Sequence, residues 1–153
     1  MDTAPFLSHS PLPQVTRERV LSALNGPELD MAAVAHPEDA EAAVARLNEL
    51  DWVISTADSV VKVDCVLPTE LPFEDLAPVM CVLSNEYNAG AFDGRALVGN
   101  VDGLIELRGD ACFVTAAGMN DDQLFHALNL AIIAAQDALL ATIDRFNEAA
   151  RGL

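Results

Sequence analysis

The sequence is poor in positive charge. Eight lysine and arginine residues stand against 24 aspartate and glutamate residues in 153 positions, and the formal net charge is −16. Lys62 is the only lysine. Affinity for nucleic acids and for anionic membranes comes from lysine and arginine, so both classes of partner are excluded. The excess acid is expected either to keep an alanine-rich protein soluble or to attract a basic segment of a protein partner.

Aromatic residues and cysteines are also few. Aromatic residues make up 5% of the chain, whereas hydrophobic residues, many of them alanine, make up 52%. This composition favours helices that pack through small side chains over an aromatic-rich β-sandwich. The cysteines have neither metal-ligand spacing nor the even number of a disulfide framework. We therefore expect three reduced core residues: Cys65, Cys81 and Cys112.

The sequence shows neither a secretion signal nor a membrane span. Residues 1–14 contain Asp2, three prolines and neither lysine nor arginine, the reverse of a signal peptide. The most apolar segment, residues 127–143, is interrupted by polar side chains. We expect a cytoplasmic protein without membrane association. Residues 1–14 are predicted to be a flexible lead-in to a single domain over residues 15–150.

Local patterns predict two helices and two strands in the first half of the chain. Thr16 is a good N-cap for a short helix, and residues 25–27, Asn-Gly-Pro, end it. Residues 31–35 are ambiguous and form at most a short strand. Proline at the first helical position, followed by two acidic residues, predicts a second helix over residues 37–50. Two strands follow, joined by a turn at residues 57–59: 52–56 and 61–67.

The middle of the chain predicts a helix followed by three strands. Pro68 and Pro72 are expected to bracket a loop. Because Pro78 would break a helix in mid-course, the helix is predicted to start with Asp75 as N-cap and to end at residues 88–90. The strands are predicted with turns at 100–103 and at Gly109-Asp110: 92–98, 104–108 and 111–116.

The final helix has the strongest pattern. Asn120 and Gln123 form a capping box with two aspartates between them, at the positive end of the helix. Apolar residues recur at helical spacing as far as Ala149, which predicts about 30 helical residues and a length of about 40 Å. A second apolar side is predicted, to be covered by another helix of the chain or by a second subunit. It is formed by three residues off the main stripe: Leu130, Ile133 and Leu140.

No residues have the spacing of a catalytic, cofactor or metal site. His9 lies in the lead-in, His36 is expected to be a cap or surface residue, and His126 lies beside the apolar stripe of the final helix. No glycine-rich phosphate loop connects a strand to a helix. Helix capping and turns explain the acidic pairs. We therefore predict a non-enzymatic protein without cofactor or metal.

The polar end of the helix over residues 75–88 is the best candidate for a contact surface. Asn85 and Asn88 share a helical face, where they are expected either to cap the helix or to bind a partner. With a nearby tyrosine and two apolar residues of the final helix they form the predicted partner-contact set: Asn85, Tyr87, Asn88, Ile133 and Leu140.

Several of these segments resemble the YbjN family, which is described as bacterial sensory transduction regulators. The resemblance covers residues 14–26 and 71–149. Residues 15–20, Val-Thr-Arg-Glu-Arg-Val, are similar to the first helix of actinobacterial members. The other matching segments surround a Val-Asp-Gly turn: Leu83-Ser-Asn-Glu-Tyr-Asn88, Phe92-Asp-Gly-Arg-Ala-Leu-Val98 and Asn120-Asp-Asp-Gln-Leu-Phe125.

Together, the patterns and the resemblance predict an α+β fold. It has an antiparallel sheet of about five strands, helices packed on one face and a long C-terminal helix. The resemblance implies a fold like that of type III secretion chaperones, which are commonly acidic dimers that hold partner polypeptides. Residues 28–50 depart from the family pattern, because a predicted extra helix there replaces an expected strand region, and this leaves the sheet order around residues 28–50 open. The family has no catalytic residues to carry over.

The leading hypothesis is a non-enzymatic regulatory or protein-binding domain, chaperone-like in action and dimeric through its final helix. Two alternatives stay open. One is an enzyme with a carboxylate or metal site that sequence spacing hides. The other is a structural subunit of a larger complex, in which the second apolar side of the final helix is permanently covered.

Overall fold

A computed structural model of the protein describes residues 11–152. Residues 1–10, with His9 and most of the predicted lead-in, lie outside the described part. The elements follow in the order α1 (Arg17–Leu24), β1 (Val34–Ala35), β2 (Ala42–Leu47), β3 (Leu50–Ser55), β4 (Val60–Pro72), α2 (Phe73–Gly90), β5 (Arg95–Val101), β6 (Leu104–Val114) and α3 (Asp121–Arg151).

The strands form one antiparallel sheet in the order β1-β2-β3-β4-β6-β5. α3 packs on β6, β4 and β5, and it also contacts both α1 and α2. The three helices therefore cover one face of the sheet. This is the predicted α+β fold with a long C-terminal helix, and the sheet has six strands where about five were predicted.

The helix predicted over residues 37–50 is wrong. This segment instead contains β2, which pairs along its whole length with β3. Asn48 and Glu49 connect the two strands with φ of 54° and 65°, as in a two-residue type I′ turn. Ala43 is fully buried under the helices, so pairing with a β-prone neighbour overrides the helix preference of alanine. The departure from the YbjN pattern disappears with this correction.

A loop and a turn that were predicted to interrupt the sheet are strand in the structure. The predicted loop from Pro68 to Pro72 belongs to β4, whose register against β6 shifts there. The predicted turn at Gly109-Asp110 lies inside β6. Packing explains this glycine, because an added Cβ would overlap the carbonyl oxygen of Ala135 in α3 and lie 2.8 Å from its carbonyl carbon.

α2 begins two residues before the predicted N-cap Asp75 and contains Pro78. The proline has no amide to donate to the carbonyl four residues earlier, Glu74, so the helix tolerates one missing hydrogen bond. The expected start was wrong because Pro72 itself occupies the N-cap position without a side-chain hydrogen bond.

The other predicted caps are confirmed. The Thr16 hydroxyl accepts a hydrogen bond from Arg19 N at 3.3 Å. In α3, Gln123 N donates to Asn120 Oδ1 at 2.8 Å, and Asn120 N donates to Gln123 Oε1 at 2.9 Å. This is the predicted capping box, and the helix it starts has 31 residues.

The core lies between the sheet and α3, and only one of the three cysteines belongs to it. Cys65 is buried, whereas Cys81 and Cys112 are exposed, so the prediction of three core cysteines is wrong. In β6 the inward positions belong to Ala111 and Phe113, which pair with buried residues of β4, and Cys112 between them faces outward.

Candidate functional site

The second apolar side predicted for the final helix is present on α3. The helix buries a stripe of eight residues against the rest of the protein. No helix of the described residues covers the other apolar side. The exposed fractions of its three large residues are 67% for Leu130, 48% for Ile133 and 41% for Leu140. An apolar face of this kind is typical of an interaction surface.

This side of α3 forms one wall of an open cleft of about 450 Å³. The opposite wall is the end of β6, and the segment between α2 and β5 closes one end. Phe92, in that segment, is fully exposed. The cleft, called here the α3 cleft, is lined mainly by apolar side chains and by three polar ones: Tyr87, Asp93 and Asp137.

The α3 cleft exists because β5 is shorter than β6. Pairing of these two strands ends at Arg95 and Asp110, while β4 stays paired with β6 as far as Val114. Just before β5, Gly94 packs tightly on α3, where an added Cβ would lie 2.9 Å from the carbonyl carbon of Ala134. Within the described part of the chain, no strand therefore pairs with the outer edge of residues 111–114.

Negative charge surrounds one end of the α3 cleft. The pKa of Tyr87 is raised, first by desolvation and then by the carboxylates of Asp137 and Asp93, while the Arg145 guanidinium lowers it. Both carboxylates thus act on the tyrosine hydroxyl. Arg145 lies 6.0 Å from the Tyr87 ring centroid and pairs with Glu86 at 3.6 Å. The described residues that line the cleft include no lysine or arginine.

The structure divides the predicted partner-contact residues. Tyr87 and Ile133 line the α3 cleft, and Leu140 is exposed two turns further along α3. Asn85 is exposed on α2. The set as a whole stays a prediction.

The Asn88 side chain joins α2 to β5 through two hydrogen bonds. Its Nδ2 donates to Ala96 O at 2.9 Å, and Ala96 N donates to its Oδ1 at 2.8 Å, which occupies the outward backbone groups of Ala96 at the start of β5. The same two bonds join Asn25 to Ala33 beside β1, at 2.8 and 2.6 Å. In both cases the asparagine binds the backbone of the residue eight positions later. Sequence reasoning missed this pairing, although the equal spacing is a signal for it.

A second charged group lies on the sheet face opposite the helices. Asp64 and Asp110 are cross-strand partners, 8% and 3% exposed. Lys62 Nζ lies 2.9 Å from Asp64 and 3.6 Å from Asp110, the first a close ion contact without hydrogen-bond alignment. Arg95 donates two hydrogen bonds of 3.2 Å to Asp110. Each buried carboxylate therefore has a cation beside it, which is what burial of charge requires.

Residues 11–152 contain two of the three histidines and all three cysteines. No three histidine, cysteine, aspartate or glutamate side chains in this range are grouped so that they could hold a metal ion. His36 Nδ1 accepts hydrogen bonds from the amides of Glu38 and Asp39 at 3.1 and 3.0 Å, which stabilises a turn before β2, since the helix that His36 was expected to cap is not formed. His126 is exposed, with its ring 5.4 Å from that of Phe125.

α3 is long and apolar enough to cross a membrane by length and composition alone. In its most apolar window, 39% of the residues are buried inside the protein. Its contacts with three strands and two helices are those of a core helix. The buried stripe of α3 thus packs in the core, while its second apolar side stays exposed.

Comparison with known proteins identifies the fold. No protein-family profile and no curated protein sequence matches the chain. A solved structure that matches is YbjN, "a putative transcription regulator from E. coli", with a TM-score of 0.65. The match covers 90% of this chain and 96% of YbjN at 14% sequence identity, a level at which the shared property is the fold. The YbjN-like fold implied by the sequence motifs is therefore confirmed.

Proposed function

We propose that this protein is a non-enzymatic regulatory protein that holds a basic segment of a partner protein in the α3 cleft. The carrying observation is the combination of an apolar wall, formed by Leu130 and Ile133, with the carboxylates of Asp93 and Asp137 at one end. The net charge of −16 attracts a basic partner over a longer range. A regulatory role also agrees with the description of YbjN as a regulator.

The two alternatives have less support. The carboxylates in the α3 cleft have an apolar surrounding and an adjacent tyrosine, without a histidine or lysine to act as base or proton donor among the described lining residues. A permanent subunit interface is expected to be depleted in charge at its centre, whereas Asp137 lies on the exposed side of α3. An exchangeable partner fits this mixture of apolar and charged groups better.

The proposed location is the cytoplasm. The described cysteines are all free thiols, and two of them, Cys81 and Cys112, are exposed. Free exposed thiols are typical of a reducing compartment.

A homodimer through α3 is proposed for the partner-free protein only, because it would cover Leu130 and Ile133, which also line the α3 cleft. Its support is the exposed row of Leu130, Ile133 and Leu140. Because Asp137 lies between the last two, dimerisation through this face is expected to strengthen as salt screens the charges. Light scattering at several concentrations tests it, and monomer mass at all of them contradicts it.

The binding proposal is tested by selecting short random peptides on the immobilised protein. Selected peptides are expected to be rich in lysine, arginine and apolar residues and to bind more weakly as salt increases. The double variant Asp93→Asn/Asp137→Asn should bind them about tenfold more weakly. The control Glu49→Gln/Glu70→Gln, which loses the same charge at exposed sites outside the cleft, should bind like the wild type. Equal affinity in both variants, or selection without basic residues, contradicts the proposal.

A further inference from the structure

We propose that the partner segment binds as an added β-strand, antiparallel to β6, on the uncovered edge of residues 111–114. This inference rests on the proposed function and specifies the conformation of the segment that is bound. Strand addition supplies main-chain hydrogen bonds that do not depend on partner sequence, while side-chain pockets beside the edge give selectivity.

The ladder identifies the backbone groups that are available. Thr115 N donates to Ser59 O of the neighbouring segment at 2.8 Å, and hydrogen-bonded pairs alternate along an antiparallel ladder. The backbone N–H and C=O groups of Phe113 and Ala111 therefore form hydrogen bonds with β4. The backbone N–H and C=O groups of Cys112 and Val114 point away from β4, to the free edge of β6 that borders the α3 cleft. The hydrogen bonds of β5 follow the same alternation. The backbone groups of Arg95 face β6, whereas those of the next residue, Ala96, face outward and are bound by Asn88.

Within the described residues, asparagine side chains cover backbone groups at two edge positions of the sheet but not along residues 111–114. Asn88 occupies the backbone groups of Ala96 on the edge of β5, and Asn25 occupies those of Ala33 beside β1. Covering an edge in this way prevents unwanted strand pairing. No such side-chain cover exists for residues 111–114 in the part of the chain that the structure describes.

The surroundings of this edge specify the chemistry of the added strand. Four residues of β6 are available, which is about 13 Å of strand. Partner side chains opposite Ala111 and Phe113 would point to α3. Asp93 and Asp137 lie at the end of the cleft near Gly94, and Leu130 lies toward the opposite end. The matching segment has a basic and an apolar residue two positions apart.

Charge decides between a partner segment and a second copy of this chain. Pairing two copies through this edge would bring together two molecules of net charge −16 and two sets of cleft carboxylates. A basic strand instead gains attraction from the same groups. The proposed occupant is therefore an extended basic segment of another protein.

The test uses a synthetic peptide with threonine at alternate positions and lysine or valine at the positions between. In antiparallel pairing, the threonines lie opposite Cys112 and Val114 and turn their backbone groups toward β6. N-methylation of the threonines should weaken binding at least about tenfold, whereas N-methylation of the lysine and valine residues should change it less than about threefold. Fluorescence anisotropy measures both. Equal effects of the two methylation patterns, a reversed order, or no binding of the parent peptide overturns strand addition.

A protein variant gives a second readout. Val114→Pro removes the free N–H without affecting the pairs with β4, and Val114→Ala keeps it. The proline variant should bind the peptide at least about tenfold more weakly than the alanine variant, with circular dichroism to check that both fold.

Two results separate this inference from the proposed function. If basic peptides bind the cleft in an Asp93- and Asp137-dependent manner without these backbone effects, the proposed function stands and strand addition fails. If no basic peptide binds, both fail.

Discussion

At the scale of single residues, Lys62 shows how the buried charges of the sheet depend on one another. It is the only lysine, and it stands beside two carboxylates that are cross-strand partners, Asp64 and Asp110. Like charges in that position repel, so the lysine permits both to be buried. From the sequence alone, the acidic residues looked like caps and solvated surface. The cross-strand register, which no local pattern contains, is what brings these two together.

Lys62→Met should therefore destabilise the protein. The expected loss in the free energy of unfolding is about 2 kcal/mol, because Asp64 is left buried without a cation while Asp110 keeps Arg95. Arg46→Met is the control, since its pair with Asp51 is exposed, and it should cost less than about 0.5 kcal/mol. Urea denaturation measures both. Equal losses would show that the buried cluster has no special role.

The cysteines give a prediction in reactivity and in pH dependence. Burial raises the pKa of Cys65 from 9.0 to about 12, whereas Cys81 and Cys112 are exposed. A thiol reagent should react quickly with two thiols of the folded protein and with the third only on unfolding. The folded state holds the Cys65 proton to higher pH than the unfolded chain, so this group lowers stability as pH rises from about 9 toward 12.

Cys65→Ala serves as the control for the pH effect. Its free energy of unfolding should fall less steeply over that range than the wild type's. Identical slopes in the two proteins, or rapid reaction of all three thiols in the folded state, would contradict the assignment of Cys65 to the core.

At the scale of elements, local signals predicted helix starts well and strand boundaries less well. Thr16 and the Asn120 capping box act within one helical turn, so the sequence contains everything they need. The helix predicted over residues 37–50 failed because pairing with β3 is a contact between segments. The α3 cleft likewise depends on where β5 stops against β6, which is set by packing of Gly94 on α3. Only the exposed apolar side of α3 was predictable.

The glycines of the sheet test the packing of α3 on β6. Gly109→Ala should cost more than about 3 kcal/mol, because its Cβ would press on the α3 backbone, 2.8 Å from the Ala135 carbonyl carbon. Gly99→Ala is the matched control, as its Cβ would meet Glu106 at an ordinary 3.6 Å. That variant should be neutral within about 0.5 kcal/mol. Thermal unfolding of both variants decides, and similar melting temperatures would contradict the packing explanation.

The two asparagines of α2 test the junction of helix and sheet. Asn88→Ala should cost about 2 kcal/mol, because it removes both hydrogen bonds to the Ala96 backbone. Asn85→Ala, at an exposed position three residues earlier, should change stability by less than about 0.5 kcal/mol. Chemical denaturation compares the two. A larger loss for Asn85→Ala would reverse the roles assigned to them.

At the scale of the whole molecule, the distribution of charge links the fold to the proposed function. Cations are few and several are engaged within the protein: Lys62 and Arg95 neutralise buried carboxylates, and Arg19 binds Asp121 at 2.8 Å. The remaining surface is strongly acidic, and the α3 cleft joins that acid to exposed apolar side chains. The composition left open whether the acid serves solubility or attracts a basic partner, and the proposed function assigns it to attraction toward the α3 cleft.

The affinity of a basic peptide for three proteins tests the central claim most directly. Anisotropy titrations would compare the wild type, Asp93→Asn/Asp137→Asn and Glu49→Gln/Glu70→Gln at one salt concentration. We predict that only the first of the two variants loses affinity, by about tenfold, because only its charges lie in the α3 cleft. Indistinguishable affinities for all three proteins would contradict the claim that the cleft beside the final helix is where this protein holds its partner.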